Sequence, residues 1–200
     1  MYNKCTYSIQ GNFVCSNIIE TKINKIEENN SFFAIEKFES ISFQEQIYNK
    51  LNNDDKNYLQ NTWNKCFSNN KYEWYQYGKI ILIKNNNKII GYVGYLTSNE
   101  LCNWLMRDNM FAYKDMYGIT TCNENDIYIY NLCILPQFRR QQYASKIMKY
   151  IMNKFKSNIF LYTESNNLAA INLYKSLQFY ISKKVNTANG INYIMKYRYL

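Results

Sequence analysis

The stretch 127–163 constrains the fold more than any other part of this sequence. An apolar run at 127–135 stops at Pro136, the only proline in the chain, and a polar turn at 137–142 follows. Ala144, Ile147, Met148, Ile151, Met152 and Phe155 then recur at alternating steps of three and one, so one stripe of a helix is apolar while its lysines lie elsewhere. A short apolar run at 159–163 closes the unit. Strand, helix and strand in this order imply a right-handed crossover between parallel strands, and hence a helix packed on a sheet.

The flanks extend that unit. Apolar runs at 80–83 and 89–96 bracket Asn85, Asn86 and Asn87, a hairpin signal. Gly91 and Gly94 interrupt the second arm; a bulge or a close backbone approach would call for them, and simple tolerance is the other account. Phe43, Ile47 and Leu51 repeat at four, as do Leu59, Trp63 and Phe67, which predicts two amphipathic helices. Segments 7–15 and 32–35 read as weak strands. Segment 97–126 carries Trp104, Met106, Met110, Phe111, Tyr113, Met116 and Tyr117 without a clean period, and a loop of that length predicts a short helix or a lid. Downstream, 165–167 can cap a helix whose inward face is Ala170, Leu173, Tyr174 and Leu177. A closing hairpin turns at Asn189 and Gly190.

At 200 residues the chain suits one domain, read as 32–200 preceded by an extension at 1–31. No apolar run approaches the roughly 20 residues of a membrane span, and the start lacks the charged and apolar regions of a signal peptide, so no membrane partner and a cytoplasmic setting are expected. With no histidine, a histidine-containing zinc site and any Ser/His/Asp or Cys/His catalytic arrangement are excluded, and no metal is expected. The six cysteines show no CxxC spacing, and a domain of this size does not need a disulfide framework, so free core thiols are expected. A formal charge of +9 suits nucleic acid, an anionic surface or a phosphate-rich ligand. No zinc-finger or RNP-like motif supports the nucleic acid.

The junction from Leu132 to Ala144 is where chemistry is expected. A strand end, a basic turn and a helix start bring unpaired backbone N–H groups and the positive helix end to one point, with Arg139 and Arg140 adding charge. That is a phosphate cradle, or else a ligand-free basic helix cap.

The segment Leu132-Cys133-Ile134-Leu135-Pro136-Gln137-Phe138-Arg139-Arg140-Gln141-Gln142-Tyr143-Ala144 resembles the strand and pyrophosphate loop of the GNAT acyltransferases. In that family an arginine is followed three residues later by glycine and five later by glycine or alanine. Arg139 and Ala144 match, and Gln142 departs. Asn167, Ala170, Leu173, Tyr174 and Phe179 resemble the family's second signature, with Gln178 in place of a glycine. The resemblance implies an acyl-CoA N-acyltransferase fold: a mixed α+β domain with a central, strongly twisted mixed sheet flanked by helices.

It also implies an N-acetyltransferase taking acetyl-CoA to a primary amine, small molecule or protein, by direct attack in a ternary complex. Backbone groups at Leu132, Cys133 and Ile134 would hold the pantetheine arm and polarise the thioester carbonyl. Amides of Arg139, Arg140, Gln141, Gln142, Tyr143 and Ala144 would hold the pyrophosphate, Asn167 and Ala170 would help position the cofactor, and Tyr174 would protonate the departing thiolate. Glu124 and Asp126 are the carboxylates set forward as base, with Glu164, Tyr128, Tyr130 or a water chain as alternatives. If Gln142 keeps right-handed dihedrals its side chain points outward and binding survives; a required positive φ would weaken it. The alternative function is a catalytically degenerate GNAT-like CoA-binding or protein-interaction module. Monomer and homodimer both remain open.

Overall fold

A computed structural model describes residues 2–7, 13–18, 41–67, 78–107, 122, 125–187 and 190–200. Its strands are β1 (Tyr2–Tyr7), β2 (Phe13–Ile18), β3 (Ile41–Ile47), β4 (Lys79–Asn85), β5 (Lys88–Thr97), β6 (Ile127–Ile134), β7 (Ile159–Glu164), β8 (Tyr180–Thr187) and β9 (Gly190–Tyr197). The helices are α1 (Asn53–Cys66), α2 (Ser98–Arg107), α3 (Tyr143–Phe155) and α4 (Leu168–Ser176). One nine-stranded sheet runs in the order β1-β2-β3-β4-β5-β6-β7-β9-β8. Its β6–β7 pair is parallel and the other neighbours are antiparallel, which makes the sheet mixed, as the crossover unit requires.

The crossover helix α3 buries Tyr143, Ile147, Met148 and Ile151 against one sheet face, where Ile81, Ile83, Val93, Ile129 and Leu161 meet it. The α4 residues Ile171 and Tyr174 join the same core. On the opposite face, Leu59 and Trp63 of α1 pack on Ile80, Leu82, Tyr92 and Cys133, while Leu101, Cys102 and Leu105 of α2 pack on Leu96, Tyr128 and Phe160. Lys154 of α3 pairs with Glu45 of β3, which also accepts the Tyr95 hydroxyl.

Several expectations change. Residues 41–47 form a strand rather than the first of two helices, paired with β4 from Ile41↔Asn85 to Ile47↔Lys79. A spacing of four between Phe43 and Ile47 suits a period of two as well as one of 3.6, and pairing with β4 decides between them. The second helix stands as α1, whose cap Asn52 accepts from the Asp55 N–H at 2.7 Å. The strand expected at 7–15 is instead the end of β1 and the start of β2, and the one expected at 32–35 lies outside the described residues. Part of the expected lid is the helix α2, opened by a reciprocal cap: Glu100 N–H donates to Thr97 Oγ1 at 3.1 Å and Thr97 N–H to Glu100 Oε2 at 2.8 Å. Of its aromatics and methionines, Met110, Phe111, Tyr113, Met116 and Tyr117 lie outside the described residues.

The expectation of free thiols is also corrected. Cys66 is bonded to Cys133 and Cys102 to Cys122, each with Cα atoms 6.0 Å apart. The first bond joins residues 67 apart in sequence, a proximity that cysteine count and spacing do not encode.

Candidate active site

The site begins where two parallel strands part. β6 and β7 pair only at Ile127↔Ile159, Tyr128↔Phe160 and Ile129↔Leu161, although β6 continues to Ile134 and β7 to Glu164. On its other edge β6 stays paired with β5 as far as Gly91↔Ile134. Leu132 and Ile134 therefore lie on an edge with no β7 partner where the two strands separate, while the Cys133 carbonyl faces Gly91 of β5. Such an edge offers N–H and C=O groups to an extended, amide-bearing molecule.

The glycines of β5 explain how β6 bends there. The register shifts between Gly94 and Tyr95, which leaves Tyr130 as the extra residue of a bulge. A Cβ on Gly94 would overlap the Tyr130 ring, and one on Gly91 would overlap the Cys133 carbonyl oxygen. Close approach, rather than tolerance, is thus the reason for both glycines.

Beyond β6, a short 3-10 turn at Pro136–Phe138 leads to Arg139, Arg140, Gln141 and Gln142, all exposed, and then into α3. Gln142 adopts φ 62 and ψ 9, and Arg140 also has positive φ. The second of the two alternatives for Gln142 is therefore the observed one: a glutamine holds the left-handed conformation in which a glycine is at ease. The surroundings impose it. Tyr143 is buried and its hydroxyl accepts from Asn85 Nδ2 at 3.2 Å, while Gln141 Nε2 donates to the Gln137 carbonyl at 3.3 Å. The Gln142 side chain makes no cap bond to α3, so the first-turn N–H groups of the helix are not capped by it. Ala144 follows half-buried.

Gln178 repeats the pattern at φ 67, just past the end of α4, where the Phe179 N–H returns to the Tyr174 carbonyl at 3.0 Å. Gln178→Gly is expected to raise stability by up to about 1 kcal/mol, since relief of left-handed strain outweighs the added freedom of the unfolded chain. A urea melt reading a higher midpoint at unchanged slope checks this; a lower midpoint would contradict it.

The Arg139 side chain folds back on the strand end. Its Nε donates to the Ile134 carbonyl at 3.0 Å, and Nη2 lies 3.8 Å from Cys66 Sγ. Asn167 caps α4, its Oδ1 accepting from the Ala170 N–H at 3.2 Å. Tyr174 is buried in the core beside Ile171, Leu177 and Phe179, its ring centroid 5.6 Å from that of Phe179. Burial pushes its phenol above the ordinary range, so it is protonated at neutral pH.

Of the carboxylates, Asp126 lies apart from this group, whereas Glu164 adjoins it, its carbonyl accepting the Asn167 N–H at 3.1 Å. Asp126 precedes β6 at the end away from Ile134, roughly 20 Å along the strand from Cys133. Its Oδ1 accepts from Asn158 Nδ2 at 3.1 Å and its carbonyl from the Ser98 N–H at 2.7 Å. Glu124 lies outside the described residues, and Glu164 is exposed at the end of β7. Tyr128 is buried, its ring centroid 5.2 Å from that of Phe160. Tyr130 sits at the bulge, its phenol pushed up by burial and then by the charges of Tyr92 and Glu100. The Asn85–Tyr143 anchor was not foreseen, and no local sequence signal marks it.

A family model described as "Acetyltransferase (GNAT) family" matches residues 46–179. No curated protein matches by sequence. Among solved structures, the ribosomal-protein-S18-alanine N-acetyltransferase of Escherichia coli is similar at TM-score 0.54 and 13% identity, over 78% of this chain and 94% of that one. Arabidopsis thaliana Naa50, in complex with the bisubstrate analogue CoA-Ac-MVNAL, aligns at TM-score 0.56 and 14% identity, over 78% and 97%. Arabidopsis thaliana NAA60 in complex with acetyl-CoA aligns at TM-score 0.55 and 16% identity, over 79% and 99%.

Proposed function

Because this chain belongs to the GNAT acetyltransferase family, we propose that it transfers an acetyl group from acetyl-CoA to a primary amine by direct attack in a ternary complex. The observation that carries this reading is the β6 edge at Leu132–Ile134, which has no β7 partner and is followed by a left-handed turn at Gln142. Bound there, acetyl-CoA supplies an activated thioester. N–H groups of the β6 edge orient its amide-bearing arm and sit beside the carbonyl oxygen that gains negative charge, where fixed donors lower the barrier most. Amides from Arg139 to Ala144, with the charges of Arg139 and Arg140, hold the phosphates. Asn167 and Ala170 fix the start of α4, and so the height of Tyr174. Tyr174 gives its hydroxyl proton to the departing thiolate.

The base is Glu124, Glu164 or water. Asp126 is an anchor for Asn158, and Asp126→Asn is expected to leave kcat/KM within about twofold, because no acid–base group is lost from the cleft. A loss near a hundredfold would restore it as the base. The acceptor is a small-molecule or protein amine. The names of the similar structures point to peptide amines, so peptides come first in an acceptor screen. Among the described residues no helix is long and apolar enough to cross a membrane, and we place the protein in the cytoplasm.

Calorimetric titration with acetyl-CoA, free CoA and a plain adenine nucleotide tests the reading. Saturable binding that favours acetyl-CoA is expected despite Gln142. No binding by folded protein would sink the enzyme reading in favour of a degenerate scaffold.

A further inference from the structure

We propose that the Cys66–Cys133 disulfide is a redox-controlled modification site that sets how tightly the cleft beside β6 binds acetyl-CoA. The inference rests on the reading of that cleft given above.

The bond joins the end of α1 to β6, beside the hydrogen bond that ties the turn at Arg139 to the end of β6. Cys133 lies in the part of β6 that has no β7 partner, and its carbonyl is the atom against which Gly91 of β5 fits. Cys66 is the last residue of α1, on the opposite side of the sheet from α3. Arg139, which opens the turn into α3, places Nη2 3.8 Å from Cys66 Sγ while its Nε holds the Ile134 carbonyl at 3.0 Å. Bonded, the two sulfurs brace the end of α1, the end of β6 and the start of the turn against one another. Opened, they move from bonding to contact distance, the last turn of α1 is released, and Arg139 loses the neighbour that seats it.

Accessibility sets the direction of attack. Cys133 is 1% exposed beneath Leu59 and Trp63, whereas Cys66 is half-buried. A reducing dithiol, as thiolate, attacks Cys66 Sγ; the S–S bond breaks and Cys133 leaves as a thiolate that takes up a proton. The second thiol of the reductant then attacks the mixed disulfide and releases Cys66 as a thiol. Two electrons and two protons pass to the protein, and the dithiol becomes a cyclic disulfide. A small-molecule or protein disulfide reverses the step. In a reducing compartment such a bond persists only transiently, which is the setting of a sensor rather than of a staple. A chain of 200 residues also has core enough to fold without it.

The test is acetyl-CoA titration of the full chain by calorimetry, oxidised and after dithiothreitol, with thiols counted by alkylation and mass spectrometry. The reduced protein is expected to bind about five- to tenfold more weakly. Cys66→Ser should bind at the reduced level under both conditions, while Cys102→Ser, which removes the Cys102–Cys122 bond, should keep the response. Equal affinity of the oxidised and reduced wild type, with Cys66 and Cys133 verified as thiols, overturns the proposal, as does a response that survives in Cys66→Ser. Binding by neither form overturns the function reading and this inference together, so the two failures are distinct. Should Cys66→Ser fold poorly, hydrogen exchange at Ile134 and Arg139 in the wild type decides: faster exchange on reduction supports the brace, and unchanged exchange refutes it.

Discussion

Replacing Tyr174 by phenylalanine is expected to lower kcat by about a hundredfold while leaving the dissociation constant of acetyl-CoA within about twofold, the loss typical of removing one positioned general acid. The ring itself is retained. It fills the space beside Ile171, Leu177 and Phe179, and the change removes only the hydroxyl, so the core and the α4 end should hold. Burial raises the phenol above its ordinary value, which keeps the proton available across the neutral range. The wild-type pH profile should therefore show no basic fall attributable to this group below about pH 10, the ordinary tyrosine value. The sign for stability agrees: because the folded pKa is raised, the contribution is complete below the ordinary tyrosine value and is lost as pH climbs from there through the raised folded value. Unchanged turnover in Tyr174→Phe would remove the general-acid assignment without touching the fold.

Gly91→Ala is expected to destabilise the protein by about 3 kcal/mol and to weaken acetyl-CoA binding with it, an unusually large cost for one methyl group. The new carbon would overlap the Cys133 carbonyl oxygen and lie 2.9 Å from Ile134 Cδ1. A carbonyl in a paired strand cannot rotate aside, so β5 and β6 must separate just where the cleft edge begins. Gly190→Ala is the contrast: φ is +120 there but nothing lies within 4 Å of the added carbon, so backbone strain alone applies and binding should be unaffected. Urea unfolding of both variants, with acetyl-CoA titration of the folded fractions, separates packing from strain. A Gly91→Ala protein as stable as the wild type would mean that β6 is free to shift, and would undercut the account of the bulge.

Much of the site was legible because its carriers are local. The apolar stripe of α3 repeats within thirteen residues, Pro136 ends the preceding strand, and Asn167 sits one residue before the helix it caps. Periodicity, a proline and a cap each act over a few residues, so sequence alone determined the crossover unit, the position of the turn after Ile134, and Tyr174 on the inward face of α4. The same local reasoning misjudged 41–47, where a four-residue spacing fits two periods and the partner strand begins 32 residues further on. It also left the cysteines unpaired.

What the tertiary structure decided are the features that depend on distant partners. The left-handed turn at Gln142 is held by Asn85, 58 residues from the Tyr143 it binds, and the bulge at Tyr130 by glycines on another strand. The separation of β6 from β7 follows from a ladder that stops at Ile129↔Leu161, and the disulfide that ties β6 to α1 joins cysteines 67 residues apart. A sequence states which face of each element is apolar, because burial follows from side-chain period; which backbone meets which, and at what dihedral, is settled only when all the elements pack at once.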